Sequence, residues 1–187
     1  GASYVVDDGE IQIGNGSETL TLPTATTIAG DGLIDATVET AGDVSPGLSA
    51  GELQIDDGLT LLDPSRTLIE IGGLGQGDQF DFIHVLNGSA NLDGDLVVSL
   101  IDGFVPESTD TFEILRADSV SGVFANIPED GIMNAGGGLT FEVDYQSDRV
   151  VLNNVAIPEP TSLLLFGVAA TTLLVRRRRG NENKVAV

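Results

Sequence analysis

Nearly all side chains of this chain that could do chemistry are carboxylates. Asp56 with Asp57, Asp78 with Asp81, and Asp93 with Asp95 set acids in pairs close enough in sequence to share a site. A glycoside hydrolase needs such a pair, one acid to protonate the leaving group and one to attack or to activate water. With calcium, the same oxygens would suit a polysaccharide lyase. A lyase also needs a basic proton acceptor, and residues 1–157 hold only three arginines, Arg66, Arg116 and Arg149. Each acidic pair stands beside glycine at the end of a strand-like run, where Asp is favoured for its turn chemistry. The pairs therefore read as turns, and no catalytic residue is assigned. His84, the one histidine, alternates with Phe80 and Phe82 and reads as a core or half-buried residue. With no second histidine and no cysteine, a zinc site has no ligand set, so neither metal nor cofactor is expected.

Two further stretches invite a binding reading. "GGLGQGDQF" (72–80) resembles a calcium-binding nonapeptide turn, but Gly77 stands where that pattern needs Asp, and the stretch occurs once. No helix pattern follows Gly72 and Gly73, so the helix N-terminus that cradles a phosphate is missing. "SETLTLPTATT" (17–27) carries Thr19, Thr21, Thr24, Thr26 and Thr27. Thr19 and Thr21 share a face, as an ice-binding lattice would require, but the array is not repeated later in the sequence, and solvated strand threonines are the expected reading.

The elements that would position these residues are short strands. "GELQI" (51–55) sets Leu53 and Ile55 on one face, and "RTLIEI" (66–71) aligns Thr67, Ile69 and Ile71. "QFDFIHV" (79–85), "DLVVSL" (95–100), "TFEIL" (111–115), "LTFEVDY" (139–145) and "RVVLNNV" (149–155) continue the alternation between Gly, Asp, Asn, Ser and Pro turns. "FEVDY-QSD-RVVLN" predicts an antiparallel hairpin with a short polar loop. No amphipathic helix precedes residue 157. The body is expected to be all-β, either an irregular parallel β-solenoid capped by the hairpin or an antiparallel β-sandwich; no fixed repeat period chooses between them.

Charge divides the 187-residue chain in two. Residues 1–157 hold 27 Asp and Glu against three Arg, whereas residues 158–187 hold five basic and two acidic residues. A body this acidic repels nucleic acid, which is excluded as a partner. The absence of cysteine excludes a disulfide framework and thiol catalysis. The chain begins at Gly1 and its only methionine is Met133, so the natural N-terminus is expected to have been removed; no signal peptide is visible.

The basic end reads "IPEPTSLLLFGVAATTLLVRRRRG" (157–180). Sixteen uncharged residues from Pro160 to Val175 would span roughly 24 Å as a helix, short of the roughly 30 Å hydrocarbon core. Pro160 suits a first helical turn and Glu159 suits its positive end. Arg176, Arg177, Arg178 and Arg179 follow at once; together they oppose passage by roughly 10 kcal/mol, and their stems can snorkel to cover the missing length. The prediction is one transmembrane helix at about 160–175, with the arginines cytoplasmic and the acidic body outside.

Pro158-Glu159-Pro160, a short apolar helix and an arginine cluster together resemble the PEP-CTERM sorting signal of exported Gram-negative bacterial proteins. The resemblance covers about residues 157–180; "NENKVAV" (181–187) is a slightly longer tail than usual. Tails of this kind also carry the label ice-binding protein C-terminal domain, which describes the tail and not the body. The resemblance implies that an exosortase, a membrane-embedded transpeptidase-like enzyme, recognises the tripeptide and cuts near it. The body would be anchored transiently in the inner membrane, then released or transferred to the cell surface or an exopolysaccharide matrix. Residues 43–104 and 112–127 are similar to the end of the β-helical passenger regions of autotransporter-like adhesins, which favours the right-handed parallel solenoid. The expected organisation is a β-rich body (1–156), a sorting signal (157–180) and a short cytoplasmic tail (181–187). The expected role is a non-enzymatic structural or adhesive one, against the alternatives of a surface carbohydrate-active enzyme and an ice- or glycan-binding module.

Overall fold

A computed structural model describes residues 1–16, 18–127, 131–136 and 139–156. The chain divides into two units, Gly1–Ile157 and Pro158–Val187. The second unit lies outside the described residues, and with it the expected helix at about 160–175, Pro158, Glu159, Pro160, Arg176–Arg179 and the tail 181–187. Among the described residues no helix is long and apolar enough to cross a membrane.

The first unit is all-β, and its strands bond into one nearly closed sheet. In chain order they are β1 (Ala2–Gln12), β2 (Thr19–Leu22), β3 (Thr26–Asp35), β4 (Thr37–Thr40), β5 (Asp43–Pro46), β6 (Glu52–Leu61) and β7 (Arg66–Ile71). Then follow β8 (Phe82–Leu92), β9 (Asp95–Leu100), β10 (Phe112–Arg116), β11 (Ser119–Gly122), β12 (Ile132–Gly136), β13 (Leu139–Tyr145) and β14 (Arg149–Ala156).

Pairing from β1 to β11 is parallel throughout and falls into three ladders. One runs from the first half of β1 through the first half of β3 to β5, β7 and β9. A second joins the second halves of β1 and β3 to the first halves of β6 and β8, then to β10. A third joins β2, β4, the second halves of β6 and β8, and β11. The chain visits the three in the same order five times. An antiparallel sandwich has no counterpart in these ladders. Apart from the isolated bridges Gly30–Gly47 and Ile71–Phe80, antiparallel pairing among the described residues comes at the end, where β12, β13 and β14 follow one another and β14 closes on β10. The hairpin read from "FEVDY-QSD-RVVLN" is β13–β14.

Successive circuits differ in length, which is why the sequence shows no period. In the first ladder Ala2 lies opposite Thr26, Thr27 opposite Asp43, Asp43 opposite Arg66, and Arg66 opposite Asp95, separations of 24, 16, 23 and 29 residues. Two of the bends between the second and third ladders, in β6 and β8, use left-handed backbone. Asp57 and Asn87 supply it with φ of 69° and 53°, a conformation that Asp and Asn tolerate better than most residues. The two bends are tied together where Asn87 Nδ2 donates to Asp56 Oδ1 at 2.9 Å.

Alternation decides what the interior holds. Leu53, Ile83 and Leu115 stack in one inward column, and Ile34, Ile55 and Val85 in the next, all buried. Thr67, Ile69 and Ile71 face inward as expected. Aliphatic branched residues suit such columns because each touches its counterpart in the circuits above and below. Towards the end of the chain the interior becomes aromatic. Phe112, fully buried, meets Phe80, Phe104 and Phe141 edge-on, with ring centroids 5.2, 6.2 and 6.1 Å away.

Candidate functional site

The acidic pairs resolve into structural parts. Asp56 Oδ1 accepts from the Asp57 N–H at 3.0 Å and from Asn87. Asp93 Oδ1 accepts from the Gly94 N–H at 2.8 Å, closing its turn. Asp78 and Asp81 do not pair. Asp78 is exposed on the 72–80 loop, whereas Asp81 is fully buried.

Asp81 stands where that loop rejoins the sheet. Its Oδ1 accepts from the Gly51 N–H at 2.9 Å and its Oδ2 from the Glu70 N–H at 2.8 Å. Its own N–H donates to the Glu70 carbonyl at 2.9 Å, and the Phe82 N–H donates to the Gly51 carbonyl at 2.9 Å. One side chain thus clamps the start of β6 to the end of β7. Burial pushes the Asp81 carboxyl up to about 7, against the two backbone N–H groups that favour its charge; the nearby carboxylates of Glu70 and Asp31 push the same way as burial. A raised carboxyl in an enzyme would mark a proton donor. Here both oxygens are committed to backbone donors, and nothing of Asp81 is exposed to a substrate.

The 72–80 loop folds on itself. The Gly72 N–H donates to the Gln79 carbonyl at 2.7 Å, the Gly77 N–H to the Phe80 carbonyl at 2.8 Å, and the Gly75 N–H to Gln79 Oε1 at 3.0 Å. Amides turned inward this way do not cradle a phosphate. Gln76 Nε2 reaches out to the Glu113 carbonyl at 2.9 Å and ties the loop to the next circuit.

His84 falls within its reading as a core or half-buried residue: it shares a face of β8 with Phe82, while Ile83 and Val85 enter the core. His84 faces outward and half-buried, its Nδ1 3.6 Å from Glu52 Oε1 and its ring 5.4 Å from that of Phe82. Among the described residues no three His, Asp or Glu side chains converge to hold a metal ion.

The three arginines of the body are engaged. Arg66 Nε donates to Asp43 Oδ1 at 2.9 Å across neighbouring circuits. Arg116 and Arg149 share Glu113, at 2.6 and 3.0 Å, and Arg149 also grips Asp148. Burial works to raise the Glu113 carboxyl, but the two guanidinium groups outweigh it and hold it below the usual carboxylate range. Sequence reading missed the Arg149–Glu113 link and the Asp81 clamp, whose partners lie 36, 30 and 11 residues away.

The threonine array extends further than the sequence suggests. On the outer face of the third ladder, Thr19 lies opposite Thr37, and Ser89 lies between Gly58 and Ser119. Beside them Thr21, Glu39, Thr60, Asn91 and Ser121 form a second column. Hydroxyl and amide groups thus recur on the later circuits, interrupted by Gly58 and Glu39.

The two parts define an exported protein: an all-β body followed at once by a sorting tail. Residues 156–179 match the family model of the PEP-CTERM protein-sorting motif. The chain carries that motif, which indicates export and sorting to the cell surface through an exosortase, a membrane processing enzyme. The matched segment begins at the last residue of β14 and contains Pro158, Glu159, Pro160 and Arg176–Arg179. No curated protein matches the chain.

Proposed function

We propose that the acidic body is a non-enzymatic structural or adhesive module of the cell surface or biofilm matrix, delivered there by its tail. The observation that carries this reading is the placement of the motif directly after β14, so that cutting within it would free the whole body with its sheet intact. In this reading the body is an irregular right-handed parallel β-solenoid. Its five circuits through three parallel ladders support that architecture, a stiff rod whose faces serve as surfaces. A helix at about 160–175 holds the precursor in the inner membrane of a Gram-negative cell, and Arg176–Arg179 stop it with the arginines inside. Pro158 and Pro160 keep the chain extended for the exosortase, and Glu159 offers a charge to a basic pocket. Exopolysaccharide is the matrix partner, no cofactor is used and no nucleic acid is bound.

The test is expression beside an exosortase, followed by intact-mass measurement of the surface protein. Wild type should lose its tail, and the variant with Pro158, Glu159 and Pro160 all replaced by Ala should keep it. Maturation of both to the same mass would sink the role of the tripeptide. A second reading, an ice- or glycan-binding module, draws on the outer columns of the third ladder. Replacing Thr21 and Thr60 by Lys should then abolish retention on immobilised polysaccharide or adsorption to ice, without loss of β-structure. The reading of the body as a surface carbohydrate-active enzyme is less favoured, because Asp56 and Asp93 accept from turn N–H groups and Asp81 is buried.

A further inference from the structure

The corner between the first and second ladders changes as the circuits advance. β3 turns it without leaving the strand, through Gly30 and Gly32. The next three circuits each insert a loop there: 47–51 between β5 and β6, 72–81 between β7 and β8, and 101–111 between β9 and β10. The loops stack at their roots. The Phe82 N–H donates to the Gly51 carbonyl at 2.9 Å, and the Ile101 N–H to the Ile71 carbonyl at 3.0 Å. Each loop holds one aliphatic side chain out in water: Leu48 is 71% exposed, Leu74 60% and Val105 67%. Among the described residues these are the three most exposed large apolar side chains. Two of the loops are fixed internally. The Gly75 carbonyl accepts from the N–H groups of Gln79 and Phe80 at 2.6 and 3.0 Å, holding the turn that carries Leu74. Beside Val105, the Phe104 N–H donates to the Ile101 carbonyl at 3.0 Å, and its ring packs edge-on against Phe112.

We propose that this corner docks an amphipathic helix of a partner polypeptide, apolar where it crosses the loops and basic along its borders. An aliphatic side chain exposed singly is ordinary surface. One on each of three stacked, hydrogen-bonded loops makes a preformed contact row. Successive circuits lie about 4.8 Å apart at the loop roots, close to the roughly 5.4 Å rise of one helical turn. Side chains at i, i+4 and i+7 of a helix laid along the corner therefore meet consecutive loops. An extended strand finds no backbone template, because the Gly72, Gly75 and Gly77 N–H groups are bonded within their own loop. Charge selects the border. Asp78, Asp102 and Glu107 are exposed in these loops, which contain no lysine or arginine. A helix edged with Lys or Arg matches them, whereas a second copy of the corner would set acid against acid. The corner is distinct from the hydroxyl and amide columns of the third ladder, so this partner and a glycan are tested separately.

The probe is a fluorescent peptide of about 15 residues, long enough to form a helix, with Leu at i, i+4, i+7 and i+11 and Lys at the borders. Two controls replace its Lys by Glu or scramble its order. Each is added to the full chain and followed by anisotropy and hydrogen exchange. The amphipathic Lys peptide should bind and slow exchange within 72–81 and 101–111, while both controls bind about ten-fold more weakly or not at all. Leu74→Ser with Val105→Ser, both at exposed positions, should weaken its binding by about ten-fold with circular dichroism unchanged. Absence of binding would overturn the proposal. So would equal binding of the scrambled peptide, which means diffuse charge attraction, or wild-type affinity in the double variant, which places the peptide elsewhere. Self-association of the full chain that the same substitutions abolish would overturn it too, because the occupant is then a second copy.

Discussion

The first circuits and the terminal cap are built from different materials. Up to β7 the core is aliphatic, with branched side chains stacked on their counterparts, and no cation appears before Arg66. From Phe80 onward the core gains Phe112, Phe124 and Phe141, with Phe104 half-buried against it, and the surface gains the Arg116–Glu113–Arg149 network. In a stack of circuits each residue is buried by its two neighbours, so the last one needs something else to cover it. Large rings cross-packed under an antiparallel hairpin do this at the C-terminal end. Nothing comparable covers β1 among the described residues. Stability should therefore be concentrated in the cap and the middle circuits, and fall away towards β1.

The largest effect should come from Phe112→Ala. That ring is fully buried and touches three other rings, so its loss should cost about 3–5 kcal/mol in urea unfolding. Hydrogen exchange should show the amides of β12–β14 opening first. A cost near that of a surface substitution would mean that the hairpin holds itself together and does not close the core.

Next in size is a pH effect in the middle of the molecule. The Asp81 carboxyl sits at about 7 in the fold against an ordinary value near 4, so the folded state binds the proton more tightly than the unfolded one. Its contribution is fully present below about pH 4 and is lost as pH rises through about 7, a change of up to about 4 kcal/mol. Glu113 acts oppositely and in a lower window: held below the usual range, it favours the fold above its ordinary value and loses that contribution as pH falls further. Unfolding midpoints measured from pH 4 to 8 should decline, and Asp81→Asn should flatten the decline. A wild-type curve that rises across this range would show that the two backbone donors outweigh burial.

The strands were legible because alternation is local. Leu53 with Ile55, and Thr67 with Ile69 and Ile71, enter the core as their spacing says. Their partners were not legible, since each parallel neighbour lies 16 to 32 residues away and alternation carries no record of it. The β13–β14 hairpin was legible because its partner lies across a short turn. His84 was legible as a half-buried residue on the face of Phe82, because that pairing is local, although β8 begins only at Phe82. The sorting tail was legible at 157–180 because its parts are contiguous in sequence, and the family match spans 156–179. The Asp81 clamp was not, as its donors sit 30 and 11 residues away.

Asn126 tests how the capped end protects its outer strand. Its amide stands in for a backbone unit beside Leu96, and Asn126→Ala removes both hydrogen bonds, which should cost about 1–2 kcal/mol. It should also bare the β9 edge, where Val97 is already 37% exposed. Light scattering at raised concentration should then show association that wild type lacks. Unchanged stability and unchanged scattering would mean that β9 is protected by its own short length.

The smallest effect is expected at the open end, and it is the sharpest measure of the contrast. Tyr4 and Ile28 occupy equivalent positions in adjacent circuits, paired residue to residue in the β1–β3 ladder. If burial by the neighbouring circuits sets stability, position within the stack should matter more than side-chain size. Ile28→Ala, inside the stack, should cost about 2–5 kcal/mol by removing fully buried carbon. Tyr4→Ala removes a larger side chain, but one that water already reaches and only one circuit supports, so it should cost about 1 kcal/mol or less. Urea midpoints of the two variants against wild type decide the matter. Should Tyr4→Ala cost as much as Ile28→Ala, exposure in the stack is not what sets the cost of losing a side chain.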